Sequence, residues 1–253
     1  MGRLEGMKAI VTGSGGGMGG AIAVTYAREG ADVVLNDRLP GLTDVYEQQV
    51  RALGRDVVSV HANVTRREEA RRVVDAALQR WGRVDILANV VGGIKGPVDN
   101  PIWKISEEEW EFAMGLNLRG TFHCTQLVLP GMMERRYGKI LNIASSSWAG
   151  EAMHAHYAAA KAGVVAVTRS AATQLGPYNI NVNAIAPGGT NTRMTRQDEI
   201  AAERGRSAGS TVPLGRMNVA QDIADAALFL VSEEARNISG QLLTVAGGWN
   251  PSL

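Results

Sequence analysis

The chain has little cysteine: Cys124 is the single one in 253 residues. It therefore has no internal disulfide and no cysteine-based metal cluster, and it suits a reducing compartment. An excess of one charge is missing too. The 26 basic residues stand against 25 acidic ones, a net charge of +1, which points to no nucleic acid or other polyanion as partner. No apolar stretch approaches the roughly 20 residues needed to cross a bilayer, so no membrane partner is expected. The apolar run at 7–11 is short and leads straight into glycines, unlike a signal peptide. There is no internal repeat and no low-complexity linker. The expectation is a soluble, cytoplasmic protein.

What is present is an ordinary globular balance, 45% apolar and 20% charged, with enough apolar surface for a sizeable core. Short β-rich runs fall at 9–12, 33–36, 57–60, 86–89, 139–143, 181–185 and 242–245. Amphipathic helical patterns lie between them, among them 66–81, 107–133, 157–175 and 220–231. Such alternation predicts an α/β fold: a doubly wound, Rossmann-type parallel sheet of about seven strands covered on both faces. One domain over 1–253 is expected, with a polar lid segment around 190–213 that carries Arg193, Arg196, Arg204 and Arg206. Ser106 with Glu109, and Thr65 with Glu68, have the spacing of capping boxes that open helices.

The first strand runs into Thr12-Gly13-Ser14-Gly15-Gly16-Gly17-Met18-Gly19-Gly20. Glycines between a strand and a helix let backbone N–H groups approach a pyrophosphate at the helix N-terminus, so Gly13, Ser14, Gly17, Met18 and Gly19 are candidate cofactor contacts. Asp37 ends the second strand, where a carboxylate accepts from ribose hydroxyls and repels a 2′-phosphate. Arg38 follows and would instead pair with that phosphate. The reading favours NAD over NADP. Asn63-Val64 and Asn89 stand at the ends of the third and fourth strands, on the ligand-binding edge of such sheets.

Tyr157 and Lys161 stand four residues apart in a helix-forming run and so share a helix face. A cation beside a phenol lowers its pKa from about 10 and suits it to proton transfer with an alcohol oxygen. His154 and His156 form a poor metal set, with no carboxylate or cysteine cluster beside them, and no metal is expected. His154 is a candidate substrate contact, together with Ser147 and Trp148. Cys124, in an apolar helical run, reads as inert core.

These motifs, in this order, resemble the short-chain dehydrogenase/reductase family in its short single-domain form. The resemblance spans essentially the whole chain. It rests on Thr12 to Gly19, Asp37, Asn63-Val64, Asn89 to Gly92, Asn117, Ser145, Tyr157 with Lys161, Pro187-Gly188, Thr192, and the ending from Ser239-Gly240-Gln241 to Gly247-Gly248. It implies Tyr157 as general acid/base and Lys161 as the group that lowers its pKa and holds the nicotinamide ribose. Ser145 would orient the substrate oxygen, and Asn117 would organise a water chain from Lys161. Pro187, Gly188 and Thr192, with Thr190 between them, would bracket the nicotinamide carboxamide. Asn63 would face the adenine and Asn89 the adenine ribose side.

Two departures stand out. The family pattern has Asp-Val at Asn63-Val64, and Asn-Asn-Ala-Gly at Asn89-Val90-Val91-Gly92. Ser145, Ser146 and Ser147 are consecutive; alternation along an extended strand puts Ser145 and Ser147 on one side and Ser146 on the other. The implied activity interconverts a secondary alcohol and a ketone by hydride transfer with NAD(H). The alternatives are an NADPH-dependent 3-oxoacyl-thioester reductase and, outside enzymes, a cofactor-sensing binding protein. A homotetramer or homodimer is implied by analogy with the helices that pair between subunits in the family.

Overall fold

A computed structural model describes residues 2–97, 99–192 and 212–249. Its main sheet has seven parallel strands: β1 (Lys8–Thr12), β2 (Asp32–Asp37), β3 (Val57–His61), β4 (Ile86–Asn89), β5 (Gly138–Ile143), β6 (Ile180–Pro187) and β9 (Leu242–Val245). A minor pair, β7 (Thr190–Asn191) and β8 (Asn218–Val219), forms a separate ladder. The helices are α1 (Gly17–Arg28), α2 (Asp44–Ala52), α3 (Arg67–Trp81), α4 (Glu107–Ala113), α5 (Gly120–Arg135), α6 (Ala155–Leu175) and α7 (Ala220–Val231). The expected strands are all present. Of these, β4 and β9 have the expected bounds and the others run one or two residues longer at an end.

The strand order is β3-β2-β1-β4-β5-β6-β9, so the winding reverses between β1 and β4. Ligands of open parallel sheets bind in the crevice beyond the strand ends at that reversal. Thr12 and Asn89 are partners in register there, and the two loops that build the site leave from them.

Both faces of the sheet are covered, which is why β2 reads as an unbroken apolar run. Val11, Val33, Leu35 and Ile86 pack with Ile22 and Tyr26 of α1 and Ile223 and Leu228 of α7. Ile10, Val34, Leu87 and Ile140 point the other way, onto Val73 and Ala77 of α3 and Val128 and Met132 of α5. Full burial of each such aliphatic side chain contributes roughly 1.5–3 kcal/mol, so the sheet centre, not the loops, holds the scaffold.

Two local expectations need correction. Thr65 and Glu68 form no cap. Arg66 is the N-cap of α3 and its side chain makes no capping bond. The turn is closed two residues earlier, where Asn63 Oδ1 accepts from Thr65 N (3.1 Å) and Thr65 Oγ1 (2.9 Å), and Glu69 accepts from Asn63 N (2.8 Å). Asn63 and Glu69 therefore take over the roles given to Thr65 and Glu68. The pattern at 107–133 is not one α-helix either. It opens with the expected Ser106–Glu109 capping box, then widens into a π-helical segment, Met114–Arg119, before α5.

Candidate active site

The glycine loop is a cradle that side chains would fill. A Cβ on Gly19 would overlap the Gly13 carbonyl oxygen, and one on Gly15 would stand 2.6 Å from Asp37 Oδ2. A Cβ on Gly13, whose φ is +66°, would stand 3.0 Å from Val91 N. Gly16 caps α1 with no side-chain bond, and the first turn of α1 holds no acidic residue. That is the donor set and the space a pyrophosphate requires, and the residues present fit a dinucleotide.

A cavity of about 390 Å³ lies over this loop. Gly13, Gly17, Met18, Gly19, Asp37, Arg38, Asn63, Val64 and Thr192 all line it. Sequence reasoning missed Ala62, Gly93, Ile94, Phe112 and Leu116, which complete its wall. The Gly92-Gly93 pair after β4 was a usable signal for part of this wall; nothing in the pattern marked Phe112 or Leu116. Asp37 is turned toward the loop: Oδ2 accepts from Gly15 N (3.3 Å) and Oδ1 from Leu39 N (3.3 Å).

Ser14, Asn89, Pro187, Gly188 and Thr190 are not on the cavity wall. Ser14 is fully buried, and its hydroxyl ties β1 to β2 through Asn36 N (2.8 Å). Asn89 is 3% exposed and donates to Thr125 Oγ1 (3.2 Å) and Asn142 Oδ1 (2.9 Å). Its side chain knits β4 to β5 and α5, which corrects its expected place facing the ribose. Gly188 N donates to Val245 O (2.9 Å), and Thr190 Oγ1 donates to Gly188 O (2.9 Å).

The proton-transfer candidates lie next to this cavity. Lys161 is 2% exposed, and its Nζ donates to Ile143 O at 2.7 Å and sits 5.7 Å from the Tyr157 ring centre. Gly92 leaves room for it: a Cβ there would stand 2.9 Å from both Lys161 Nζ and Asn117 Oδ1. Asn117, fully buried in the π-helical segment, grips the Gly93 backbone from both sides. Its Oδ1 accepts from Gly93 N (3.0 Å) and its Nδ2 donates to Gly93 O (2.8 Å). A widened turn at a functional position is a recurrent use of π geometry.

Burial governs both titrations. It pushes the Tyr157 phenol up; Ser145 pulls it back, and Glu151 adds a push upward. Burial pushes the Lys161 ammonium down to about 7. Burial is thus the largest influence on the Tyr157 phenol, and it acts against the lowering expected of a neighbouring cation.

The serine run has the expected parity for a different reason. Ser146–Ala149 is a short 3₁₀ turn, not an extended strand, and Ser145 is its N-cap. Ser145 Oγ accepts from Ser147 N (3.2 Å) and lies 3.2 Å from Ser147 Oγ, while Ser146 is buried. Trp148, read as a substrate contact, is half-buried and packs on the Ala144, Val164 and Val165 cluster. His154 is held at the start of α6, with Nε2 3.0 Å from Pro97 O. Cys124 is buried, which pushes its thiol up to about 12. Arg193, Arg196, Arg204 and Arg206 lie outside the described residues. Among the described residues no helix is long and apolar enough to cross a membrane.

A glycine-cradled dinucleotide crevice beside a serine, tyrosine and lysine is matched by known proteins. The profile of the family described as enoyl-(acyl carrier protein) reductase covers residues 13–250. The chain belongs to the short-chain dehydrogenase/reductase family, whose members are oxidoreductases using nicotinamide cofactors. It is 35% identical over 247 residues to the 3-oxoacyl-(acyl-carrier-protein) reductase FabG of Thermotoga maritima, covering 97% of this chain and 98% of the relative. It is 37% identical over 240 residues to the (2S)-((R)-hydroxy(phenyl)methyl)succinyl-CoA dehydrogenase subunit BbsD of Thauera aromatica, covering 95% of each. Among solved structures, a short-chain dehydrogenase/reductase from Burkholderia xenovorans superposes with a TM-score of 0.90 at 37% identity, over 98% of both chains.

Proposed function

We propose that this protein interconverts 3-oxoacyl and 3-hydroxyacyl thioesters with NAD(H). The observation that carries the redox step is Lys161, fully buried beside the cofactor cavity with its Nζ 5.7 Å from the Tyr157 ring centre. The thioester rests on the two curated relatives, whose names specify an acyl carrier protein and a coenzyme A ester. This narrows the wider expectation of a secondary alcohol and ketone to the reading first held as its alternative, with NAD kept as the cofactor.

A nicotinamide dinucleotide held over Gly13, Gly17, Gly19 and Asp37 would supply the hydride to the carbonyl carbon, or accept it from the carbinol carbon. In reduction, Ser145 orients the carbonyl oxygen and Tyr157 gives that oxygen its phenolic proton. A phenol with an ordinary pKa of about 10 carries its proton at neutral pH, the form this step needs. Lys161, anchored on Ile143 O, then lies where it stabilises the phenolate left behind. Asn117 keeps the Gly93 backbone, and with it the cavity wall, in place. In oxidation the phenolate takes the hydroxyl proton back.

Purified protein assayed with acetoacetyl-CoA and simple ketones, with NADH and NADPH in turn, tests the reading. The thioester should be preferred over simple ketones. Turnover of simple ketones alone would refute the thioester.

Asp37 decides the cofactor. Its carboxylate, on the cavity wall next to Gly15, opposes a 2′-phosphate and accepts from the ribose hydroxyls of NAD. A kcat/KM for NAD at least about tenfold above that for NADP is expected, since buried groups left without partners cost ~1–3 kcal/mol. Asp37→Ala should narrow or reverse that ratio, because Arg38 then meets the phosphate unopposed. A wild type that prefers NADP sinks this assignment.

The serine run gives a second check. Ser145→Ala should reduce turnover far more than Ser146→Ala, because Ser145 acts on the Tyr157 phenol whereas Ser146 is buried. Equal small losses would remove Ser145 from the chemistry, and a dominant loss at Ser147 would move the role there. A homotetramer is also proposed, through the faces of α5 and α6, where Phe122 is exposed. Light scattering that finds a monomer would refute it.

A further inference from the structure

The wall of the cofactor cavity crosses the ends of four neighbouring strands. The glycine loop after β1 suits the pyrophosphate, and Asp37 at the end of β2 suits the ribose hydroxyls. The next strand outward is β3, and Asn63 and Val64, which follow it, line the same cavity. Lys161 lies in the opposite direction, bonded to Ile143 O at the end of β5. A dinucleotide laid along the strand ends therefore brings its purine to Asn63 and Val64.

This stretch is firmly held. Asn36 Nδ2 donates to Val60 O and Ala62 O (both 3.0 Å), and Ala62 N donates to Asp37 O (3.0 Å). Val64 O lies 3.2 Å from His123 Nδ1. Gly120 of α5 packs closely on the Val64 side chain, since a Cβ there would stand 3.1 Å from Val64 Cγ2.

The polar atoms left over are donors. Asn63 Oδ1 accepts from both Thr65 N and Thr65 Oγ1. A backbone N–H can only donate, so the amide atom facing Thr65 N is the oxygen, and its two lone pairs are engaged. What remains to Asn63 is Nδ2, which makes no hydrogen bond among the described residues. Val64 is 3% exposed, and its N–H also donates to nothing among the described residues. Buried backbone N–H groups are rarely left unpaired. On the wall of a cavity, such a group is a donor held for a ligand.

The pairing edge of adenine sets an acceptor, N1, beside a donor, the 6-amino group. Hypoxanthine inverts that order, with N1–H beside the O6 acceptor. A wall with one donor and one acceptor would select adenine. Two donors match one acceptor on either base and leave the donor of either base unmatched. We propose that Asn63 makes the cofactor site permissive at position 6 of the purine, so that nicotinamide hypoxanthine dinucleotide binds about as well as NAD. This rests on the crevice as a dinucleotide site, and not on the thioester or on the choice made by Asp37.

The test is isothermal titration calorimetry of the full-length protein with each dinucleotide, without acyl substrate. Wild-type Kd values for NAD and its hypoxanthine form should agree within about fivefold, since each base meets one donor. Asn63→Asp keeps one oxygen for Thr65 and offers the other as an acceptor beside the Val64 N–H. It should bind NAD at least about tenfold tighter than the hypoxanthine form. A wild type that favours NAD by more than fivefold, or an Asn63→Asp variant with the wild-type ratio, would overturn the proposal. If the variant does not fold, the wild-type ratio decides alone. If NADP proves the tighter cofactor, the ratio is taken between NADP and its hypoxanthine form, and the same limits apply. Failure to bind any of these dinucleotides would overturn the proposal together with the cofactor reading. Failure to reduce acetoacetyl-CoA would remove the thioester and leave the Kd ratio to decide this proposal.

Discussion

Replacing Tyr157 with phenylalanine is expected to lower kcat by roughly 10²–10⁴, the scale of general acid–base catalysis, with little change in NAD affinity. The substitution removes one oxygen and keeps the ring. The ring's contact with Lys161 survives, as does the backbone bond from Tyr157 N to His154 O. The cofactor cavity is lined by other residues, so binding has no reason to follow turnover down. The measurements are kcat by nicotinamide absorbance and NADH affinity by fluorescence titration. A variant that keeps more than a tenth of wild-type activity would falsify the assignment of Tyr157.

Lys161→Met is expected to damage activity and relieve stability at once. Turnover should fall by at least about 10²-fold, because the phenolate left after proton donation loses its adjacent cation. Stability should move the other way in a pH-dependent manner. Burial holds the Lys161 pKa at about 7 in the folded chain, whereas an unfolded lysine titrates near 10.4. Between these values the unfolded state binds more protons, so wild-type stability rises as pH rises from about 7 toward 10. Below pH 7 both states are charged, and the folded one bears the full cost of a buried ammonium. Methionine carries no charge at any pH. The advantage of Lys161→Met in urea unfolding should therefore be larger at pH 6 than at pH 9, by roughly 2–3 kcal/mol. The lost bond to Ile143 O subtracts a roughly constant ~1 kcal/mol from that advantage. A stability difference that stays flat between the two pH values would show that Lys161 is not the group titrating.

Much of the fold was readable because the strands announce themselves. Val33-Val34-Leu35 and Ile86-Leu87-Ala88 are apolar on both faces and end at polar residues, and a sheet covered on both sides leaves that mark. The short α2 was not readable, since Val50 is its single buried residue and periodicity had little to register. The candidate site was readable where spacing alone sets geometry. Tyr157 and Lys161 share a helix face wherever that helix lies. It was not readable where the result depends on what surrounds a group. Burial sets the direction of both their titrations, and burial is a property of the assembled chain. Asn89 shows the same limit: its position at a strand end suited a ligand, and its partners Thr125 and Asn142 came from elsewhere in the chain. The three apolar wall residues Ile94, Phe112 and Leu116 meet only through packing.

The widened turn at Met114–Arg119 gives this region an unusual sensitivity to chain length. Most positions in a protein are vulnerable to what residue they hold. Here the vulnerable quantity is how many residues there are, because a π turn takes up one more residue than an α turn. Losing any one residue in the segment would let the backbone run on as an ordinary α-helix into α5. No apolar contact in the sheet would need to break, and the helix itself would have better hydrogen-bond geometry. The Asn117 clasp on Gly93 would go, and with it the wall beside Lys161. A single-codon deletion in this stretch is expected to keep the helical circular dichroism of the wild type and lower kcat.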